Sequence, residues 1–172
     1  MSQQHRRRLD VMLEEGYLDG LDAKPLDAVR AMHEESLEVE TEVSYVRRLA
    51  QARIDIVLAE LDRRAAGGSV QDLVAMLPKI LSDDSPRADP AHSRLPRHLA
   101  PSPDITWQRG LERLITDATL VNLPTLSEHE LSDTLQQLRT LEGEMSERRR
   151  ALHRVIDGIE ADLAARHKVE HA

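Results

Sequence analysis

The sequence predicts an all-α fold: a long antiparallel two-helix coiled-coil hairpin, with short accessory helices in the connection and at the N-terminus. Three observations predict it. The 172 residues include no Phe, one Trp and two Tyr, too little aromatic bulk to fill a thick globular core, while Leu, Ala, Glu and Arg dominate as they do in paired helices. Apolar residues recur at mixed steps of three and four along two long stretches, the spacing of a helix-hairpin seam. A polar stripe, Glu40, Ser44, Arg47, Gln51 and Asp55, returns 102 positions later as Glu142, Ser146, Arg149, His153 and Asp157.

Steps of four, three, four and four keep each stripe on one helix face, because residues three and four apart are neighbours there. The seam beneath it recurs at the same offset: Val39, Val43, Ala50, Ile54, Val57 and Leu61 align with Leu141, Met145, Leu152, Ile156, Ile159 and Leu163. Arg47 and Arg48 match Arg149 and Arg150, Glu42 matches Glu144, and Arg64 matches Arg166. Neighbouring positions expected to be exposed do not match: Thr41 faces Gly143 in the alignment, Tyr45 faces Glu147, and Ile56 faces Gly158. Solvated faces drift, so a stripe kept while its surroundings diverge points to a working surface. These are two copies of one helical arm, and an antiparallel arrangement, with a pseudo-two-fold relation between them, is preferred. The length of the connection permits either orientation.

Residues 1–24 form a short N-terminal helical segment, with Leu9, Met12 and Leu13 of an amphipathic helix from Arg6 to Glu15 facing inward and Gly16 and Gly20 as punctuation. The first arm covers 25–66, from Pro25, a good first-turn residue, to the stop at Gly67 and Gly68. Residues 67–126 are the connection. Within it Ser69 and Asp72 resemble an N-cap for a short helix over Val70 to Leu77, with Pro78 interfering beyond. The Pro-rich stretch 82–104 reads as mobile, and Trp107 to Thr116 as another short helix that Trp107 anchors. Ser127 and Glu130 form a capping box that opens the second arm, 127–168, before a tail at 169–172.

Composition narrows the function. A net charge of −8 opposes non-specific binding of DNA or RNA, which needs excess Lys and Arg to release counterions, and suits a basic partner. Arg47, Arg48, Arg148, Arg149 and Arg150 nevertheless gather at the stripes, so a local anion site fits. The absence of Cys removes disulfides and thiolate metal sites. No signal-peptide pattern follows Met1 to Arg8 and no membrane-length apolar run occurs, so a cytoplasmic protein without a membrane partner is expected.

Nothing in the motifs supports an enzyme. Ser146, His153 and Asp157 share a face, but Ser146 and His153 lie seven residues apart, about 10 Å along the axis and beyond triad hydrogen bonding. There is no Gly-rich phosphate loop. His92, His98, His129, His167 and His171 lack tight ligand spacing, so no metal site is expected.

Each stripe is about 22 Å long and offers carboxylates at both ends with a hydroxyl, a guanidinium and an amide or imidazole between. Guanine suits this set: a carboxylate accepts from N1 and N2, and Arg donates to O6 and N7 or stacks on the base. Phosphate takes the remaining donors. A ligand of two guanines and two phosphates, a cyclic dinucleotide, would match two related stripes.

The pattern Glu-x3-Ser-x2-Arg-x3-Gln-x3-Asp, once per arm, resembles the signature of the RsiG-like anti-sigma factors, the aerial mycelium formation protein family of actinobacteria. The runs Val43 to Leu49 and Arg148 to His153 are similar to that family's as well, with His153 standing where the pattern has Gln. The resemblance implies two cyclic di-GMP molecules bound per chain as an intercalated dimer between the arms. It also implies ligand-dependent sequestration of a sporulation sigma factor of the WhiG type, with regulation of transcription as the outcome. On that expectation Arg47 and Arg149 meet guanine, Glu40, Asp55, Glu142 and Asp157 read guanine edges, and Ser44, Gln51, Ser146 and His153 meet phosphate or ribose. A monomer before sigma binding is the simpler expectation. The alternative is a constitutive coiled-coil adaptor without a nucleotide, its stripes paired with each other, Arg47 with Asp157 and Arg149 with Asp55.

Overall fold

The structure, a computed structural model, describes residues 8–81 and 122–170. The Pro-rich stretch 82–104 and the expected helix from Trp107 to Thr116 lie outside the described residues. Three α-helices account for most of the described chain: α1, Leu26–Ala65; α2, Val70–Leu81; and α3, Glu128–Glu170. Two 3-10 turns, Leu21–Ala23 and Leu123–Thr125, precede the two long helices. The fold is the expected all-α two-helix hairpin, with α1 and α3 as its arms.

Local chemistry sets the ends. Pro25 has no N–H to leave unpaired, and its carbonyl accepts from the N–H groups of Ala28 and Val29 to start α1. At the other end Gly67 adopts φ 68°, a left-handed conformation that costs glycine little. There the Gly68 N–H reaches the Arg63 carbonyl and the Gly67 N–H the Arg64 carbonyl, which closes α1 in a Schellman motif. The capping box of α3 is reciprocal: Ser127 N–H donates to Glu130 Oε2 at 2.7 Å, and Glu130 N–H donates to Ser127 Oγ at 3.3 Å. Ser69 N–H and Oγ both donate to Asp72 Oδ2 at the start of α2.

One boundary differs from expectation. α2 does not stop at Leu77 but carries Pro78 inside it and continues to Leu81. Proline deletes one helical hydrogen bond and crowds the preceding turn. Leu77 and Ile80, on either side of it, pack against the same core cluster, and their burial offsets that loss.

The described chain forms two compact units, each built from a part of both arms: residues 8–45 with 145–170, and residues 46–81 with 122–144. In the first unit His33 meets Glu160 and Glu40 meets His153, so residue numbers fall along α3 as they rise along α1. Leu21, Val29 and Ile159 form its core, with Tyr17, Leu18, Met32, Val155 and Leu163 packed against them. Leu9 and Met12, from a helical segment over residues 8–12, are buried as well, while Leu13 is half-buried. In the second unit Arg47 meets Glu142 and Arg64 meets the Leu123 carbonyl, the same antiparallel sense. Its core includes Ile54, Val57, Leu73, Leu123, Leu131, Leu135 and Leu138.

The seam read from the sequence is buried along both arms, from Val39 to Val57 and from Leu141 to Ile159, with Leu61 and Leu163 half-buried at its ends. Ile56 corrects the expectation of an exposed position: it is buried and belongs to the cluster against which α2 packs. At the matching position, Gly158, an added Cβ would lie 2.6 Å from Leu18 Cδ1, so the glycine leaves room for the N-terminal segment. The two positions diverged because a different accessory element rests on each.

The internal duplication reaches further than the stripes. Arg166 donates to the carbonyls of Leu21 and Lys24 and to Asp162 Oδ2. Arg64 donates to the carbonyls of Leu123 and Pro124 and to Glu60 Oε1. All of these except the second carbonyls correspond at the offset of 102 residues. In each unit an arginine late in one arm ties down the 3-10 turn that begins the other. The Leu21 and Leu123 carbonyls already accept from the N–H groups of Lys24 and Leu126, and each guanidinium adds a second bond to them.

Candidate functional site

In the first unit the stripes meet as one hydrogen-bonded cluster. Arg149 Nε, on α3, donates to Glu40 Oε1 at 2.9 Å and to Ser44 Oγ at 2.8 Å, both on α1. Ser44 Oγ in turn donates to the same Glu40 oxygen at 2.7 Å, and His153 Nε2 lies 3.1 Å from it. Burial pushes the Glu40 carboxyl up, but the hydrogen bonds of Ser44 and His153 and the charge of Arg149 outweigh it and hold the group below the usual carboxylate range. Ser146, half-buried, and Asp157, exposed, lie on the α3 part of this unit.

The second unit contains the other half of the stripes. Arg47 Nη1 donates to Glu142 Oε1 at 3.5 Å, the counterpart of the Arg149–Glu40 pair at the repeat offset. Gln51 turns along its own helix and donates to Asp55 Oδ1 at 3.0 Å. The Nε of Arg47 is buried without a hydrogen-bond partner.

Each arginine thus bonds a glutamate on the facing arm, in place of the aspartate expected for a self-paired network. Register explains the choice. An antiparallel seam that sets Arg149 opposite Glu40 and Ser44 puts the carboxylate of the stripe's opening residue, not of its closing one, within reach. The ten stripe residues divide between the two units, each of which contains one inter-arm arginine–glutamate pair. Glu40, Ser44, Ser146, Arg149, His153 and Asp157 are in one unit, and Arg47, Gln51, Asp55 and Glu142 in the other.

Magnitudes separate the role of the stripes from that of the seam. A fully buried Leu, Ile or Val contributes about 1.5–3 kcal/mol, and Leu131, Met145, Leu152, Ile156 and Ile159 have no measurable exposure. Ion pairs with partly exposed members, such as Arg149 and Glu40 at 37% and 19% exposure, contribute about 0–1 kcal/mol each. The seam holds the arms together; the stripes add little to that. They form a polar, partly open surface with fixed donors and acceptors.

Sequence reasoning missed two kinds of residue. The repeat aligns Arg64 with Arg166 without indicating their task, and the signal for their targets is the same offset between Leu21 and Leu123. The inter-arm pairing of His33 Nε2 with Glu160 Oε1 at 3.1 Å has no counterpart in the repeat, since Leu135 occupies the matching position, so periodicity carried no signal for it. Among the described residues there is no cluster of His, Asp and Glu able to hold a metal ion, and no helix is long and apolar enough to cross a membrane.

Fold and side chains define a helical hairpin whose two arms pair charged groups across the seam in each unit. The family described as RsiG-like matches residues 15–81 and 117–172, most of the chain, and the chain belongs to that family. Its role is accordingly that of an anti-sigma factor, and its partner a sigma factor. No curated protein matches the sequence significantly.

Proposed function

We propose that the chain binds two molecules of cyclic di-GMP through the Glu-Ser-Arg-Gln/His-Asp stripes of its two arms. Loaded with this ligand, it sequesters a sporulation sigma factor of the WhiG type and blocks transcription from that factor's promoters. The observation that carries the reading is the paired construction of the stripes: Arg149 with Glu40 in one unit, Arg47 with Glu142 in the other. Each cluster offers a guanidinium for a guanine face or its O6 and N7 acceptors, and carboxylates for the N1 and N2 hydrogens. Hydroxyl, amide and imidazole groups remain for phosphate. The weak stabilisation expected of these pairs supports a ligand role, because a group that adds little to folding is free to change partners.

An acidic anti-sigma surface complements a basic DNA-binding face on the partner, which favours rapid and specific association. If ligand tightens sigma binding by a given factor, sigma must tighten ligand binding by the same factor. The intramolecular pairs also favour a second reading, a constitutive adaptor in which the stripes serve only each other.

Isothermal titration with cyclic di-GMP, with cyclic di-AMP and GTP as controls, separates the two. The sensor requires selective binding near two ligands per chain. It also requires that Ala at Arg47 and Arg149 abolish binding and sigma capture while the far-ultraviolet helical signal persists. For the adaptor, the same double variant lowers the melting temperature, and cyclic di-GMP gives no heat with or without the sigma factor.

A further inference from the structure

The two stripe arginines are in different states. Arg149 Nε is engaged by Glu40 and Ser44, and Glu40 is further held by His153. Arg47 reaches Glu142 through Nη1 at 3.5 Å, the outer limit of a hydrogen bond, and its buried Nε has no acceptor. One substitution within the repeat accompanies this difference. His153 reaches across to the facing arm, whereas Gln51, at the matching position, bonds Asp55 on its own helix.

We propose that the two clusters fill in a fixed order, the Arg47 cluster taking the first cyclic di-GMP and the Arg149 cluster the second, with His153 setting the gap between them. The inference rests on the reading of the stripes as nucleotide sites. A phosphate or guanine acceptor at Arg47 displaces only a 3.5 Å contact, and turning the guanidinium toward it brings to the ligand an Nε–H that has no acceptor in its buried position. An acceptor arriving at Arg149 must first displace a carboxylate that is itself held by Ser44 and His153. Glu40 then has to find new donors, either on guanine or in water. One net hydrogen bond of ordinary strength corresponds to about a tenfold difference in Kd, and that is the gap expected.

The test uses the full chain and cyclic di-GMP itself. Calorimetry should resolve two steps about tenfold apart, and the Nε–Hε NMR signal of Arg47 should shift before that of Arg149 as ligand is added. The signals are assigned with Arg47→Lys and Arg149→Lys. Arg47→Lys should abolish the tighter step and Arg149→Lys the weaker one. His153→Gln should bring the two steps together by tightening the second. Entry of both ligands in one concerted step, movement of Arg149 first, or an unchanged ratio in His153→Gln would each overturn the order while leaving the nucleotide sites standing. Absence of heat and of signal shifts in every protein would remove the nucleotide reading and the order together.

Discussion

Replacing Glu40 by Gln sets two opposed effects against each other at one oxygen. Ser44 Oγ, Arg149 Nε and His153 Nε2 all converge on Glu40 Oε1, at 2.7, 2.9 and 3.1 Å. A Gln oxygen still accepts these bonds, so the count changes little, but the ion pair with Arg149 is lost and the bond from the neutral Ser44 hydroxyl falls from charge-assisted to neutral strength. Charged hydrogen bonds contribute about 1.5–3 kcal/mol and neutral ones about 1 kcal/mol. Arg149 is 37% exposed, so solvent screens part of that difference. The net loss expected for Glu40→Gln near neutral pH is about 1 kcal/mol. Burial works the other way: a carboxylate withdrawn from water gains stability when its charge is removed. Because Glu40 ionises below the usual carboxylate range when folded, its contribution is fully present above the unfolded value and lost as pH falls through the folded one. The gap between wild type and Glu40→Gln should therefore close in acid, once the pH falls below the ordinary carboxylate range. Urea unfolding followed by circular dichroism across that range reads both quantities. A variant as stable as wild type or more so at neutral pH, or a gap that ignores pH, would refute the claim that the donors outweigh burial.

Gly143 has nothing within 4 Å of an added Cβ, so Gly143→Ala should stabilise α3 by about 0.5–1 kcal/mol in the same unfolding assay. Gly158→Ala should gain less, because Leu18 must move. Leu131→Ala removes a fully buried side chain from the second unit's core and should cost about 2–5 kcal/mol, read as a lower urea midpoint. Glu60 accepts from both Arg63 and Arg64, and these bonds, Arg63's first, hold its carboxyl below the usual range. Glu60→Gln should lower the melting temperature at neutral pH, with the difference shrinking as acid protonates the wild-type carboxylate. Arg64→Ala and Arg166→Ala should each raise amide exchange at the 3-10 turn their guanidinium holds, Leu123–Thr125 and Leu21–Ala23 respectively, and leave the other turn unchanged.

The arms were legible because their determinants are periodic: seam positions recur at helical steps, and Pro25, Gly67 and the Ser127–Glu130 box act within a few residues of the ends they set. Pro78 is not legible as a helical residue for the opposite reason. Its tolerance inside α2 depends on Leu77 and Ile80 packing on residues from other elements, which a local rule cannot weigh. The stripe membership was visible as a repeat, yet the partner of each arginine was not, because facing residues depend on the register between arms and no single helix encodes it. The arm's own period places Ile56 off the seam, which predicts exposure. Its burial comes from the cluster formed with residues such as Leu73.

The presence of both arm copies in one polypeptide has a genetic consequence. In a symmetric homodimer built from a single arm, every codon change alters both halves of the recognition surface at once, so a substitution that weakens binding is suffered twice. Here residue 153 is His where residue 51 is Gln, and Gly158 leaves room for Leu18 where the matching Ile56 is bulky and buried. Mutation in this chain is free to tune one copy of the arm independently of the other, a freedom that the coding arrangement supplies and that no choice of side chain in a single-copy arm would give.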